Sequence, residues 1–280
     1  MRRLLAALLV VLVVLTGCGG RAAAPVAPAS SGPVRVLVFT RTTGFRHDSI
    51  PAGVAAIRDL GAAGGFTADA TGDSGAFTAA NLRRYRAVVF LNTTGDVLDD
   101  RQQRDFEGYV RGGGGYVGVH SAADTEHDWP FYGELLGGGA WFASHPAVQP
   151  ARVRVEDGTH PATAGLSSVW VRTDEWYNFR ADPRPHVHVL LTLDESSYTG
   201  GAMGADHPIA WCHAVGGGRA FYTAGGHTRE SYADPAFRGH LLGAIRWAAG
   251  LAPGACAAGS ASNTGSASNE SPAAAATGLS

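Results

Sequence analysis

The chain has no lysine, and all 22 of its basic residues are arginines. Schiff-base catalysis and the phosphate-binding loop of P-loop proteins both need a lysine amine. The formal net charge of the 280 residues is only −2, so the surface offers little attraction to a polyanion. We therefore exclude lysine-dependent chemistry, and we expect neither a nucleic acid partner nor a nucleotide cofactor.

Cysteine is also rare, with three residues in the whole chain. Cys18 lies near the N-terminus, Cys212 lies within a predicted strand, and Cys256 lies in a C-terminal stretch of small residues. Thiols oxidise in compartments outside the cytoplasm, so a disulfide between Cys212 and Cys256 is one interpretation. A buried structural thiol at Cys212 is the other.

No apolar run is long enough to cross a membrane. Residues 4–15 are almost wholly apolar, but a spanning helix needs about 20 such residues. The run ends on Leu15-Thr16-Gly17-Cys18, which is typical of a lipoprotein signal sequence. We predict that residues 1–17 are removed and that Cys18 carries acyl chains such as palmitate, which anchor the exported protein to the outer face of the cell membrane. An ordinary signal peptide with a chance cysteine is the alternative.

Two stretches lack the apolar periodicity of a folded core. Residues 18–32 are rich in Ala, Pro, Ser and Gly, which is typical of a flexible linker. Residues 252–280 have the same bias and no aromatic side chain, which predicts a disordered tail. The remaining residues 33–251, about 220 in number, are enough for one α/β domain.

Short apolar segments alternate with helical segments along this domain. Val34-Arg35-Val36-Leu37-Val38-Phe39 is a β-branched run of the kind found in a buried parallel strand. Ser49 with Pro51, and Asp99, stand where helix N-termini are expected. The predicted strands are 34–39, 66–70, 87–91, 115–119, 151–155, 187–193, 209–213 and 219–223, and a last helix is predicted at 235–249. This order predicts an α/β fold, with a mostly parallel central sheet and helices on both faces in a flavodoxin-like three-layer sandwich.

Histidines occur where the predicted strands end. His47 and Asp48 come after the first strand, His120 directly follows the fourth, and His227 comes after the strand 219–223. Ligands of open parallel sheets bind beyond the carboxyl ends of the strands. We therefore expect these side chains to converge in one cleft.

Two kinds of chemistry fit such a cluster. Neutral imidazole is a favoured metal ligand, so His47, His120 and His227 predict a divalent metal site, with zinc as the first choice. Alternatively, His120 and His227 act as general base and acid with a pKa near working pH, assisted by Glu175 and Asp48. Purely structural histidines are the third interpretation.

Residues 173–179 place carboxylates beside aromatic side chains, in the order Thr-Asp-Glu-Trp-Tyr-Asn-Phe. Carbohydrates bind to such mixtures, because aromatic faces contact C–H groups and planar polar groups bind hydroxyls. The residues predicted to bind a sugar are Trp176, Tyr177, Asn178, Asn92, Trp141 and Asp124. A buried aromatic cluster with acids at the surface is the alternative. Trp141, Phe142 and His145 are candidates for one wall of a pocket. However, His145 and His207 each precede a proline, which predicts a backbone role for them.

Residues 113–122 have the sequence Gly-Gly-Gly-Tyr-Val-Gly-Val-His-Ser-Ala. This segment resembles the nucleophile elbow of class I glutamine amidotransferases, with histidine where those enzymes have cysteine. Such an elbow would direct the His120 side chain into the site. An imidazole cannot replace the thiolate nucleophile, so amidotransferase chemistry is excluded even where the scaffold is retained.

Six motifs resemble, in order, those of the ThuA-like (trehalose utilisation) family. They are Thr43-Gly44-Phe45-Arg46-His47-Asp48-Ser49-Ile50, Phe90-Leu91-Asn92-Thr93-Thr94-Gly95-Asp96, residues 113–124, Asp174-Glu175-Trp176-Tyr177-Asn178-Phe179, His207-Pro208-Ile209-Ala210-Trp211 and Gly225-Gly226-His227-Thr228. The resemblance implies a fold like that of class I glutamine amidotransferases without their cysteine. It also implies a role in the metabolism of trehalose and related glucosides.

The resemblance further implies processing of glycosides, including 3-keto forms made by a partner sugar dehydrogenase. An acidified C–H beside a ketone suits an imidazole base or a metal. We therefore expect an enzyme that hydrolyses, eliminates or isomerises such a sugar. A non-catalytic sugar-binding lipoprotein on the same scaffold is the main alternative, and a structural or interaction module is a further one.

Overall fold

The computed structural model of the protein describes residues 32–256. The predictions for the signal peptide, for lipidated Cys18 and for nearly all of the linker fall outside the described residues, as does most of the predicted tail. Between residues 32 and 256, no helix combines the length and the apolar character that crossing a membrane requires.

The core of the described domain is a nine-stranded sheet with a separate two-stranded ribbon. In chain order the strands are β1 (Val34–Phe39), β2 (Phe66–Thr71), β3 (Ala87–Leu91), β4 (Gly115–Val119), β5 (Phe142–Ser144), β6 (Gln149–Val155), β7 (Val169–Asp174), β8 (Asn178–Phe179), β9 (His188–Leu193), β10 (Pro208–Val215) and β11 (Gly218–Thr223). The parallel half has the order β2-β1-β3-β4-β11, and β10, β9, β6 and β7 continue the sheet antiparallel. Strands β5 and β8 form the ribbon.

Helices cover both faces of this sheet. The described residues form α1 (Ile50–Gly64), α2 (Ala79–Leu82), α3 (Asp100–Arg111), α4 (Pro130–Leu135) and α5 (Pro235–Ala248). Neighbouring strand residues point to opposite faces. Phe90 packs on Phe106 of α3, with ring centroids 5.2 Å apart, whereas Leu91 lies against Gly53 of α1. The predicted α/β fold is confirmed.

The N-terminus of α3 shows how local sequence starts an element. The Asp99 side chain accepts hydrogen bonds from the N–H groups of Arg101 and Gln102, and the Gln102 side chain accepts one from the Asp99 N–H. This capping box satisfies N–H groups that have no partner within the helix. The helix therefore begins at the residue that follows the predicted cap.

Strand β7 was not predicted from the sequence. It lies at one edge of the sheet, and its exposure alternates, with Val171 exposed and with Arg172 and Asp174 buried. Arg172 and Asp174 form a buried ion pair of 2.6 Å on the same face. A strand that buries charged partners lacks the continuous apolar run by which buried parallel strands are recognised.

The described chain continues past the predicted domain boundary at residue 251. Cys256 forms a disulfide with Cys212 of β10, and Trp247 Nε1 donates a hydrogen bond to the Gly254 carbonyl oxygen at 3.1 Å. Of the two interpretations of Cys212, the disulfide is therefore the one present. His160 lies within 4.8 Å of both sulfur atoms, but their covalent bond removes the thiolates that a metal would need.

Candidate functional site

His120 stands at a sharp bend where β4 ends. Its φ angle of 51° lies in the left-handed region, which residues other than glycine rarely adopt. Tyr222 Oη holds the bend by donating to the His120 carbonyl oxygen at 2.8 Å. The geometry matches the elbow expected from the sequence. The buried His120 ring contacts residues that follow β1, β7 and β11.

Three imidazoles and one carboxylate meet at this edge of the sheet. One candidate ligand atom from each of His47, His120, Glu175 and His227 lies within 4.8 Å of the other three. His120 Nε2 lies 3.1 Å from His227 Nδ1. Glu175 Oε2 lies 3.4 Å from His120 Nε2 and 3.1 Å from His227 Nδ1. We refer to these four residues as the histidine cluster.

The hydrogen on His120 can be placed from its partner. His120 Nδ1 lies 2.8 Å from the Ala224 carbonyl oxygen, and because a carbonyl only accepts, Nδ1 carries the hydrogen. In the neutral ring, Nε2 then presents a lone pair to the Glu175 carboxylate at 3.4 Å. A cation between the two atoms would relieve this repulsion. In a tetrahedral zinc site with metal–ligand bonds of about 2.0–2.1 Å, ligand atoms lie roughly 3.3–3.4 Å apart. The separations among His120 Nε2, His227 Nδ1 and Glu175 Oε2 are 3.1–3.4 Å, and His47 offers a ligand atom within 4.8 Å of one from each of these residues. The donor set therefore fits a divalent ion of the zinc type.

Burial and mutual charges set the protonation states in the histidine cluster. Burial, reinforced by the charges that His120 and His227 can carry, lowers the pKa of His47 from 6.5 to about 3. Burial opposes ionisation of Glu175, but its interactions with His120 and His227, which stabilise the carboxylate when those imidazoles carry a positive charge, outweigh it and hold the pKa of Glu175 below its usual range. Burial alone would lower the pKa of His227, yet its hydrogen bond with Glu175 raises that pKa overall. At neutral pH, His47 is neutral and Glu175 is ionised, which are the forms that metals bind.

Asp174, at the end of β7, holds two members of the histidine cluster in place. Its Oδ1 accepts hydrogen bonds from the N–H groups of Glu175 and His227, both at 3.0 Å. Its Oδ2 accepts from the Gly226 N–H at 2.9 Å and from the Arg172 guanidinium at 2.6 Å. One fully buried carboxylate therefore fixes the backbone that carries both side chains.

Asn92 connects the loop after β3 to the loop after β11. Its Nδ2 donates to the Gly226 carbonyl oxygen at 3.0 Å and to Ser49 Oγ at 3.1 Å. Its Oδ1 accepts from the Tyr232 hydroxyl at 3.2 Å. Because both ends of the amide are bonded within the protein, the structure places Asn92, which was predicted to bind substrate, where it positions the residue before His227.

The aromatic residues after β7 are buried. Trp176 has no exposed surface, and its Nε1 donates to the Gln149 carbonyl oxygen at 3.0 Å. Tyr177 is 3% exposed, and its ring centroid lies 4.3 Å from that of His120. The Tyr177 ring also contacts Phe142 at 4.4 Å. These residues were predicted to bind a sugar, but they form the wall behind the histidine cluster.

Asn178 is likewise occupied within the protein. Its Nδ2 donates to the Gly200 carbonyl oxygen at 3.1 Å and to Ser144 Oγ at 3.2 Å, and its Oδ1 accepts from the Ala202 N–H at 2.8 Å. The structure therefore gives this predicted sugar-binding residue a role in joining β5 to the loop that follows residue 199.

Trp141 and Asp124 lie beside a cavity other than the one at the histidine cluster. Trp141 and His127 line a cavity of about 630 Å³ whose lining includes no residue of that cluster. Trp141 Nε1 donates to the Thr125 carbonyl oxygen at 3.1 Å, and Asp124 pairs with His127 at 2.8 Å.

A cavity of about 360 Å³ opens beside His227. Asp48 and Arg229 line it and form an ion pair of 3.0 Å, with the Asp48 side chain 74% exposed. Asp48 therefore lies at the rim and not within the histidine cluster. Phe45 is 68% exposed, and its ring lies 4.9 Å from the ring of His47. The site is thus reached from solvent past Phe45 and His227.

Three further residues of the site were given no catalytic, metal-binding or sugar-binding role from the sequence. His145 Nδ1 lies 3.0 Å from Glu175 Oε1 with 41% of its side chain exposed, so it does more than precede a proline. Phe45 stands at the rim, and Arg172 supports Asp174. The spacing of Arg172 and Asp174, two residues apart in an extended segment, was a signal that they share one face. The sequence offered His145 only as part of a pocket wall or as a residue before a proline, and nothing local distinguished Phe45.

A family model described as trehalose utilisation (ThuA) matches residues 35–248. The protein belongs to the ThuA family. The match runs from β1 to the end of α5 and includes all four residues of the histidine cluster. Among curated protein sequences, none matches this ThuA-family chain.

Solved structures show the same fold. A ThuA-like protein from Bacteroides uniformis ATCC 8492 is 26% identical with a TM-score of 0.65, over 81% of this chain and 95% of that one. A ThuA-like protein from Parabacteroides merdae ATCC 43184 is 22% identical with a TM-score of 0.62, over 78% and 90% of the two chains. A β-galactosidase from Bacillus circulans sp. alkalophilus is 14% identical with a TM-score of 0.51, over 79% of this chain and 32% of that one, and shares the fold alone.

Proposed function

We propose that the protein is a metal-dependent enzyme that acts on a carbohydrate, with the histidine cluster holding a divalent ion of the zinc type. The observation that supports this proposal is the convergence of three imidazoles and one carboxylate within 4.8 Å. When bound there, the ion would supply Lewis-acid polarisation of a substrate oxygen. Membership of the trehalose utilisation family supports a carbohydrate as the substrate. We therefore propose a trehalose-like glucoside or its 3-keto derivative.

The surrounding residues can exclude water and move protons. Tyr177 and Phe142 close the side of the cluster behind His120. His145 contacts Glu175 Oε1 and is partly exposed, so it can carry a proton between solvent and a substrate atom beside that carboxylate. Hydrolysis, elimination and isomerisation of a glycoside all need a proton moved beside a polarised oxygen. These are the reaction classes that we propose.

The rim of the site suits a sugar. Phe45 presents an exposed aromatic face, and Asp48 with Arg229 presents paired charges to the cavity beside His227. An aromatic face contacts the C–H groups of a sugar ring, and planar polar groups bind its hydroxyls. The substrate would therefore lie between Phe45 and the ion pair, with one oxygen directed at the histidine cluster.

A non-catalytic sugar-binding protein is the alternative function. It was based on Trp176, Tyr177 and Trp141 as aromatic platforms, but Trp176 and Tyr177 are buried. No observation at the histidine cluster favours it, because binding a neutral sugar does not require three imidazoles beside a carboxylate. It therefore remains only as one outcome of the experiment below.

We also propose that the protein is exported and anchored to the outer face of the cell membrane through lipidated Cys18. The end of the lipoprotein signal sequence, Leu15-Thr16-Gly17-Cys18, supports this. The disulfide between Cys212 and Cys256 supports it as well, because disulfides persist in oxidising compartments. The partner would be a sugar dehydrogenase that makes the 3-keto substrate.

Metal analysis combined with activity measurement tests the proposed function. The purified chain should contain about one divalent ion, as expected for four converging ligands. His120→Asn removes one ligand while keeping a residue that tolerates a positive φ. We expect this variant to lose the ion and the turnover of 3-keto trehalose, and a chelator should have the same effect on the parent chain.

The matched control is His186→Asn. His186 is exposed, and it lines the cavity beside Trp141, away from the histidine cluster. It should retain both metal and activity. If the parent chain binds trehalose but contains no metal, converts neither trehalose nor 3-keto trehalose, and is unaffected by His120→Asn, the sugar-binding alternative is correct.

A further inference from the structure

A cavity of about 540 Å³ lies at the end of the sheet opposite the histidine cluster. Arg86 directly precedes β3, and Gly114 directly precedes β4, so this cavity lies at the amino ends of two strands. The carboxyl ends of these strands lead to Asn92 and His120. Strands of five residues are about 16 Å long, so this cavity is separate from the histidine cluster. We refer to the cavity as the arginine cavity. Its charged and aromatic lining residues are Arg83, Arg86, Arg104, Asp105, Tyr85 and Tyr109.

The guanidinium groups of the arginine cavity lack counter-charges. Within residues 32–256, no carboxylate lies within 4.0 Å of Arg83, Arg86 or Arg104. By contrast, Arg111 and Arg184 each pair with two carboxylates. Three positive groups against a single carboxylate give the cavity a net positive charge. Such a cavity attracts an anion.

The walls of the arginine cavity are formed in advance. Tyr109 Oη donates to the Tyr85 carbonyl oxygen at 3.3 Å. A Cβ atom on Gly114 would lie 2.3 Å from the Tyr109 ring, so only glycine allows this ring to pack there. The N–H groups of Gly112, Gly113 and Gly114 are bonded to carbonyl oxygens of α3. An anion would therefore be bound by the arginine side chains and not by the glycine backbone.

We propose that the arginine cavity binds a phosphate group through Arg83, Arg86 and Arg104. The planar guanidinium fork matches two phosphate oxygens at once, which a point charge cannot do. Asp105 accepts hydrogen bonds from a hydroxyl next to the phosphate, so the ligand is a phosphate ester with free hydroxyls. This binding is independent of the function proposed for the histidine cluster.

Two sources can supply such a group, a lipid headgroup or a soluble phosphate ester. The path of the chain favours the headgroup, because the Arg86 N–H donates to the Arg35 carbonyl oxygen at 2.9 Å. Strand β1, which begins directly after Pro33, therefore starts beside the arginine cavity. Cys18 precedes Pro33 by 15 residues, so an acyl anchor on Cys18 would keep this end of the sheet close to the membrane.

Binding measurements in two arms test the proposal on the mature chain, residues 18–280, carrying Cys18→Ser. This chain lacks both the apolar signal segment and a site for acylation. The first arm titrates inorganic phosphate at low ionic strength by calorimetry. The second arm measures flotation with vesicles of phosphatidylglycerol and phosphatidylcholine in equal parts, against vesicles of phosphatidylcholine alone. Arg86→Gln and Arg104→Gln should each weaken binding by about tenfold, as expected from the loss of a charge-assisted hydrogen bond.

Two further variants make the test selective. Asp105→Asn removes the single negative group, so it should strengthen binding of inorganic phosphate. Arg101→Gln is the matched control, because Arg101 is exposed on α3 but does not line the cavity. Binding in the phosphate arm supports the site with a soluble ester as its source, and preference for anionic vesicles alone supports the headgroup. Binding in neither arm, or equal binding by Arg104→Gln and Arg101→Gln, overturns the proposal. Thermal melting of each variant checks that it is folded.

Discussion

Replacement of Asp174 by asparagine would test whether one buried carboxylate holds the histidine cluster together. Oδ1 faces the N–H groups of Glu175 and His227, and Oδ2 faces donors that include the Arg172 guanidinium. An asparagine amide has one accepting oxygen and one donating NH2 group. In either orientation the NH2 group would therefore face N–H donors that the carboxylate now accepts from. The substitution also leaves Arg172, whose side chain is 6% exposed, without a counter-charge.

The expected loss of stability is large for so small a change. Removing one partner of a buried ion pair costs about 3–5 kcal/mol. For a domain of this size each kcal/mol lowers Tm by about 2–4 °C, so Tm should fall by roughly 10 °C. Metal affinity should fall by about 10–100-fold, because Asp174 orients two of the ligands.

A double-mutant cycle measures the coupling between Asp174 and Arg172. The parent chain, Asp174→Asn, Arg172→Met and the double variant are unfolded in urea at pH 7, with metal content measured before each titration. Methionine suits position 172 because the side chain there packs against the rings of Trp170 and Phe237. The double variant should be more stable than the sum of the single effects predicts, since it leaves no buried charge unpaired. A loss below about 1 kcal/mol for Asp174→Asn, or additive single effects, would refute the reasoning.

Three other predictions concern stability and the rim of the site. Burial lowers the pKa of His240 from 6.5 to about 3 and that of His160 to about 4. The unfolded chain therefore binds more protons below pH 6.5, and the free energy of unfolding should fall as pH drops from 6.5 towards 4, by up to about 1.4 kcal/mol per pH unit for each histidine. Urea titrations at pH 7, 6 and 5 should show a shallower fall for His240→Gln, and an unchanged slope would contradict this. Cys256→Ser removes the disulfide that closes a loop whose ends are 44 residues apart. It should therefore lower the free energy of unfolding by about 4 kcal/mol, measured by urea titration. If dithiothreitol destabilises this variant as much as the parent, the loss does not come from the disulfide. Phe45→Ala should weaken trehalose binding, measured by calorimetry, by about 2–10-fold. It should leave Tm unchanged, because the ring is 68% exposed. An unaltered affinity would mean that the sugar lies elsewhere.

Local chemistry accounts for the parts of the fold that were predicted. The fully buried strand Ala87–Leu91 is a continuous apolar run, because both faces of the sheet are covered there. The start of α3 follows from Asp99, whose side chain bonds to the first N–H groups of the helix. Edge strand β7 escaped prediction because its buried face carries an arginine and an aspartate in place of apolar residues.

The roles of the individual site residues were harder to predict from the sequence. The residue types after β7 suggested a sugar platform, yet Trp176 is fully buried and the Asn178 amide is bonded within the protein. Exposure decides between a binding residue and a core residue, and exposure depends on packing by distant segments. Packing of distant segments also places His145 and Phe45 at the site, because no local pattern shows that either contacts the histidine cluster.

The sequence by itself determined the α/β order of elements and the placement of His47, His120 and His227 after strands, because strand and helix formation depend on neighbouring residues. Only the tertiary structure decided that these imidazoles lie within 4.8 Å of one another and that Glu175 joins them. It also decided that Asp48 remains at the rim, where it pairs with Arg229. Distances between residues far apart in the chain are set by how the whole sheet and its loops pack, and no local pattern contains that information.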